Sequence, residues 1–300
     1  MQNPILIQIK TQDGLTLPGL LYEAKSSQKV AIHLHGNGSS SVFYSDDQRD
    51  TLARTLIKEG ISLLLFNNRG AHYIKKLNVE KNSTVEQKLF GMAYEKIKEC
   101  VQDVDGAINL LESKRYKEFY LIGESTGANK TCVYNFYKPQ NKVSKYVLLG
   151  GGDDTGICYG QLGKDKFYAL LKQAKERTKK HKAEDIICEL LPDEIFSYQG
   201  FYDVANPNGD YNVFPFLEVI RKIKLSKKPL FRHFKSMKKP TLVIYGEKDK
   251  WAWNIPKMIE ILKEIKPEFT YKVIKNADHS FSEHQKQLAT LISDWLRNSF

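Results

Sequence analysis

The apolar run Phe119-Tyr-Leu-Ile122 passes through Gly123-Glu-Ser-Thr-Gly127 directly into a helical stretch at 128–137, and this junction constrains the fold more than any other feature. A strand that becomes a helix across G-x-S-x-G must reverse within a few residues. The glycines permit the reversal, and the serine hydroxyl is left exposed at the edge of a sheet. Ser125 is therefore a candidate nucleophile. An unassisted hydroxyl is a poor one, so the rest of the chain must also supply a base, an orienting acid and a site for a developing oxyanion.

The same strand–helix alternation recurs along the chain. Ile5–Lys10 and Thr16–Tyr22 flank Thr11-Gln-Asp-Gly14 and predict a hairpin. The strand Lys29–Leu34 runs into His35-Gly-Asn-Gly38, and a helix at 46–59 carries Leu52, Leu56 and Ile57 before Gly60 ends it. Ile61–Phe66 is apolar enough for a strand buried on both faces. It stops at Asn67-Asn-Arg-Gly70, after which residues 71–90 are polar and read as surface loop. From Tyr94 to Leu111 the positions Ile97, Val101, Val104, Ile108 and Leu111 recur every three or four residues, the pattern of an amphipathic helix. Strands at 143–149, 240–245 and 270–274 and helices at 256–265 and 283–297 complete the alternation. An α/β fold follows, with a mostly parallel central sheet covered by helices on both faces. Ligands in such sheets gather at the carboxyl ends of the strands.

Residues 151–235 interrupt this order. They hold no convincing strand, but do hold a lysine-rich helix near 163–182, a shorter helix near 183–190 and a Pro/Gly/Asn stretch at 206–215. The expected division is a core from 1–150 and 236–300 with a helical cap at 151–235. The aromatics of the block (Phe167, Tyr168, Phe196, Tyr198, Phe201, Tyr202, Tyr211, Phe214 and Phe216) exceed what a solvated linker needs. They fit a small satellite core, an apolar cap over a pocket, or both.

Composition excludes several classes. No uninterrupted apolar stretch approaches the roughly 18 residues that cross a bilayer, and the first ten residues read as a strand, not a signal peptide. The four cysteines, 32, 26 and 30 residues apart, form no zinc motif or disulfide framework, which favours a reducing, cytoplasmic setting. The net charge is +11, yet only 8 of the 46 basic residues are arginine and the lysines are spread over nearly every element. Bidentate grip on phosphates would favour arginine, so a lysine-rich surface is the preferred reading and no nucleic-acid partner is expected. Weak attraction of anionic substrates or membrane surfaces, without stable insertion, is compatible with the charge. A monomer and a homodimer are both open.

His279, in Asn276-Ala-Asp-His-Ser-Phe281 just before the last helix, is the candidate base, since a loop there can reach the sheet edge. His284 lies inside the helical pattern and reads as a surface or packing residue. Asp249, in Gly246-Glu-Lys-Asp-Lys250, is the candidate acid, to set the imidazole tautomer and stabilise the imidazolium. Glu247, Asp153 and Asp154 are its rivals, and Asp278 reads as loop-forming. The backbone N–H groups of Asn37 and Thr126 are the candidate oxyanion donors. His35, Gly36, Gly38 and Glu124, with Trp251 and Trp253 near the acid, are candidate pocket residues. The two tryptophans equally fit a role covering the core.

Over almost its whole length the chain resembles the α/β-hydrolase superfamily. The likeness rests on the G-x-S-x-G at 123–127, the HG-containing loop at 35–38 and the order Ser125, Asp249, His279. Asn67-Asn-Arg-Gly70 is similar to the Asp-x-Arg-Gly turn of those enzymes with asparagine for the first acid, and 151–235 falls where they carry a variable cap. Within the superfamily the chain looks most like esterases and the serine-aminopeptidase-like or acylglycerol-lipase-like branch. The resemblance implies hydrolysis of a small-molecule ester or acyl substrate through an acyl-enzyme, with no metal or organic cofactor. Amides and thioesters are open to the same residues, and a binding protein without catalysis is the alternative of another class.

Overall fold

Strands that are apolar along their whole length are stable only where both faces of the sheet are covered, and this chain uses them so. The computed structural model describes residues 3–38, 40–44, 47–82, 84–180 and 182–298, the side chains of residues 47 and 48 excepted. In chain order the elements begin with β1 (Ile5–Lys10), β2 (Thr16–Tyr22), β3 (Lys29–Leu34), α1 (Asp47–Lys58), β4 (Ile61–Phe66), β5 (Lys75–Lys81) and β6 (Thr84–Phe90). Then come α2 (Cys100–Ser113), β7 (Glu118–Glu124), α3 (Thr126–Tyr137) and β8 (Val143–Leu149). The helices α4 (Asp154–Leu162), α5 (Lys164–Lys179), α6 (Tyr198–Ala205), α7 (Phe216–Ile220) and α8 (Arg232–Lys235) follow. The chain closes with β9 (Thr241–Gly246), α9 (Ile255–Ile265), β10 (Thr270–Ile274) and α10 (Gln285–Arg297).

Among the described residues, eight strands form one sheet in the order β1-β2-β4-β3-β7-β8-β9-β10. β2 pairs antiparallel with β1 and β4, and every neighbouring pair from β4 to β10 is parallel. Successive residues alternate between two cores. Ile32 and Leu34 of β3 and Leu121 of β7 join the core under α2, α3 and α9. Ala31, Tyr120 and Ile122 join the other, under α1 and α10. The insertion's aromatics Phe167, Phe201, Phe214 and Phe216 belong to the first of these cores, continuous with the sheet. A separate satellite core is thus ruled out: α4 to α8 are anchored in the same apolar interior as the strands.

Three expectations need correction. Residues 71–90 are not irregular: β5 and β6 form an antiparallel hairpin. Its strands are mostly exposed and carry lysine and glutamate on both faces, and only Leu77 and Val79 of β5 alternate as apolar residues, too short a pattern to mark a strand. It leans on the first hairpin, where Glu80 N–H donates to Gly14 O at 2.8 Å. The helix near 183–190 is a 3₁₀ turn at Cys188–Leu190, because Ile187 spends its N–H on Phe196 O at 2.9 Å and Ile186 bridges Ser197. The helix placed at Tyr94–Leu111 starts only at Cys100, after Glu95 has turned inward to an ion pair with Lys130. Residue 46 of the helix expected at 46–59 and residue 181 of that near 163–182 lie outside the described residues, as do residues 1 and 2 of the N-terminal strand reading. Among the described residues no helix is long and apolar enough to cross a membrane.

Candidate active site

At the end of β7 the chain turns into α3 through Ser125, whose φ of +55° and ψ of −126° are costly for a residue with a side chain. The turn is held from both sides: Ser125 N–H donates to Leu149 O of β8 at 2.8 Å, and Ala128 N–H donates to Ser125 O at 2.8 Å. α3 then presses so close to β3 that a Cβ on residue 127 would stand 2.0 Å from the Leu34 carbonyl oxygen. Gly127→Ala is therefore expected to cost roughly 1–3 kcal/mol through overpacking. Urea denaturation should show a lower midpoint at unchanged slope; an unmoved midpoint would mean α3 can shift aside freely.

The loops after β9 and β10 bring the partners. His279 Nε2 lies 3.0 Å from Ser125 Oγ, and His279 Nδ1 lies 2.8 Å from Asp249 Oδ2. Asp249 is buried, and its Oδ1 accepts the Trp251 N–H at 2.9 Å, which fixes the carboxylate in the plane it needs. The rival acids are engaged elsewhere. Glu247 accepts from Asn276 N–H, and Asp153 caps α4 through Gly156 N–H and accepts from Leu217 N–H. Asp154 accepts from Asn129 Nδ2 at 3.0 Å and Thr126 Oγ1 at 3.4 Å, and Asp278 from Ser282. His284 is not inside the last helix but immediately before it, as the N-cap residue of α10.

Asn37 and Thr126 face the same cavity as Ser125 and His279, a space of about 410 Å³. Among the described residues neither backbone N–H has a protein acceptor, as expected of a loop apex and of the first turn of a helix. Gly36 is needed for the approach: a Cβ there would stand 2.8 Å from Ser125 Cβ. Gly38 lines the cavity with φ +83° and donates its N–H to Met92 Sδ.

Several pocket candidates prove to be framework. His35 is fully buried below the loop, with Nδ1 2.8 Å from Gly36 O and Nε2 accepting the Asn68 N–H. Burial and nearby Lys130 keep its pKa well below the usual range, so it is neutral. Glu124 turns away from the cavity toward His33 at 3.2 Å and Arg49 at 3.6 Å. Burial alone would raise its pKa; His33, Arg49 and His279 overcome that and hold it down at about 2. Trp251 is exposed and lines the cavity, whereas Trp253 packs against the core beneath the Arg221 guanidinium. Of the insertion's nine aromatics named from the sequence, Phe196 lines the cavity and the others do not. Tyr73 and Met92 do, and the sequence offered no signal for either.

The loop carrying Asn37 is braced from beneath. Lys130 of α3, with no exposed surface, pairs with Glu95 at 2.7 Å, and Tyr211 donates to Glu95 Oε2 at 3.1 Å while lying 3.4 Å from Asn37 Oδ1. Asn67, standing where the similar turn has an acid, accepts from Val42 N–H and donates to Ser41 Oγ, and an ionised carboxylate could not make the second of these bonds. Lys130→Met should cost about 3–5 kcal/mol, because it strands a buried carboxylate, and Lys130→Met/Glu95→Leu should cost less. Chemical denaturation of the three proteins checks this; a double variant weaker than the single would refute it.

Parallel strands in this order, with helical segments inserted after β8, make up the α/β-hydrolase fold. Residues 84–297 match the family described as "Protein of unknown function (DUF1749)", and the chain belongs to that family. Among solved structures the chain is similar to Est1E from Butyrivibrio proteoclasticus with ferulic acid bound (TM-score 0.64, 13% identity, 97% of each chain covered). It is also similar to the Pyrococcus furiosus esterase PF2001 (TM-score 0.56, 19% identity, 98% of this chain and 90% of that one). A third is carboxylesterase CesB from Bacillus subtilis (TM-score 0.57, 16% identity, 100% and 93%). Monoacylglycerol lipase ABHD6 of Rattus norvegicus is 26% identical over 197 residues, 60% of this chain. The chain spans about half the length of that curated relative, with 55% of it matched.

Proposed function

We propose that the chain is a serine hydrolase that cleaves carboxylic esters through an acyl-enzyme. The observation that carries this reading is the unbroken line from Ser125 Oγ to His279 Nε2 and from His279 Nδ1 to Asp249 Oδ2, at 3.0 and 2.8 Å, opening on a cavity with two unengaged backbone amides. In this mechanism Ser125 attacks the substrate carbonyl as His279 takes its proton, and the oxyanion rests on the Asn37 and Thr126 N–H groups. Protonated His279 passes its proton to the departing alcohol. Water activated by the same imidazole then releases the acid. The similarity to esterases supports the ester over the amide as substrate, and residues 151–235 act as the cap over a core formed by 1–150 and 236–300.

The test is one acyl group presented as p-nitrophenyl ester, anilide and thioester, alongside labelling by a fluorophosphonate probe. The ester should give the highest kcat/KM. Preference for the anilide or thioester would move the assignment to an amidase or thioesterase, and absence of both labelling and turnover would leave a binding protein.

A further inference from the structure

The protein is strongly basic, but its cavity is not. Asp154, Asp193 and Glu194 line the space around Ser125 and His279, and among the described residues no lysine or arginine lines it. Among the described residues none of the three carboxylates forms an ion pair; Asp154 has only the neutral donors Asn129 and Thr126. Tyr73, Phe196 and Trp251 line the same space. Aromatic rings beside uncompensated carboxylates are the surroundings that receive an ammonium group, by Coulomb attraction and cation–π contact together. Resting on the ester-hydrolase reading above, we infer that this cavity selects substrates carrying an amine or quaternary ammonium group and rejects acyl chains ending in a carboxylate.

Two of these carboxylates, Asp154 and Glu194, are held above the usual carboxylate range. Burial and neighbouring Asp153 push Asp154 up to about 7, and burial with Asp193 raises Glu194. A cation entering the cavity would draw off those protons and favour the ionised carboxylates. His279 and the buried Lys130 offset the rise at Asp154 only in part, and His279 is already paired with Asp249. The basic surface therefore says nothing about what the site binds.

The experiment compares isosteric ester pairs at pH 8 and low ionic strength. One pair is butyrylcholine and the dimethylbutyl ester in which tert-butyl replaces trimethylammonium. The other is two p-nitrophenyl esters whose acyl chains end in trimethylammonium or tert-butyl. At least one pair should show kcat/KM about tenfold higher for the cation, shrinking as salt screens it. Asp193→Asn/Glu194→Gln should bring the ratio toward one by lowering kcat/KM for the cationic ester far more than for the neutral one. Equal or better hydrolysis of the neutral ester in both pairs, or a ratio untouched in the double variant, overturns the inference. If fluorophosphonate labelling and neutral-ester hydrolysis succeed in that case, the hydrolase reading stands and only the cation selectivity falls. If neither occurs, both fall.

Discussion

Ser125→Ala is expected to abolish fluorophosphonate labelling and to lower ester hydrolysis by at least about 10⁴-fold, with the fold intact. On the proposed mechanism the effect is large because serine and histidine act as one unit: removing either costs about as much as removing the whole set. What survives is the contribution of oxyanion donors and binding alone. Stability should fall little, since Ser125 is held by its backbone, through Leu149 O and Ala128 N–H, and alanine keeps both bonds. Its strained φ of +55° is no easier for alanine than for serine, so the strain is unchanged. Intact-mass analysis after labelling, read beside a p-nitrophenyl ester assay, decides the matter. Undiminished labelling of the variant would mean another residue is the nucleophile.

Asp249→Asn should lower kcat by about 10³–10⁴-fold and displace the pH profile, since the amide stabilises the wrong tautomer and no imidazolium. Burial disfavours the charged form of His279, but the hydrogen bond and charge of Asp249, with Glu124 and Asp154, outweigh it and raise its pKa above 6.5. The base must be neutral, so wild-type kcat/KM falls as pH drops through that raised value. In the variant the inflection moves down. Stability runs the other way. A folded-state pKa raised above the unfolded one gives stability that is full below about 6.5 and lost as pH rises through the folded value. Asp249→Asn should therefore cost more stability at pH 5 than at pH 9. An inflection that stays put, with a near-normal rate, would hand the role to another carboxylate.

The parts of the fold legible in the sequence are those where apolar residues fill a whole element or one face of it. β1, β2, β3, β4 and β10 have the boundaries their hydrophobic runs prescribe. β5 and β6 are not legible, because a mostly exposed hairpin rests chiefly on backbone pairing and only Leu77 and Val79 show the alternation of a strand. In the insertion, α4 and α6 are too short to establish a helical period, although Asp153 and Ser197 cap them locally through the Gly156 and Gly200 N–H groups.

At the candidate site the sequence could name a serine, a histidine and a short set of acids, because each type follows the end of a strand and a parallel sheet gathers those ends along one edge. It could not choose among the acids by spacing. Glu247 and Asp249 leave the same strand two residues apart, and their fates differ because one loop carbon path aims at Asn276 and the other at His279. Nor could it foresee that a basic chain would line its cavity with Asp154, Asp193 and Glu194. Charge summed along a sequence describes the surface as a whole. The field inside a cavity is decided by which few side chains the folded backbone turns inward, and that is a property of the tertiary structure alone.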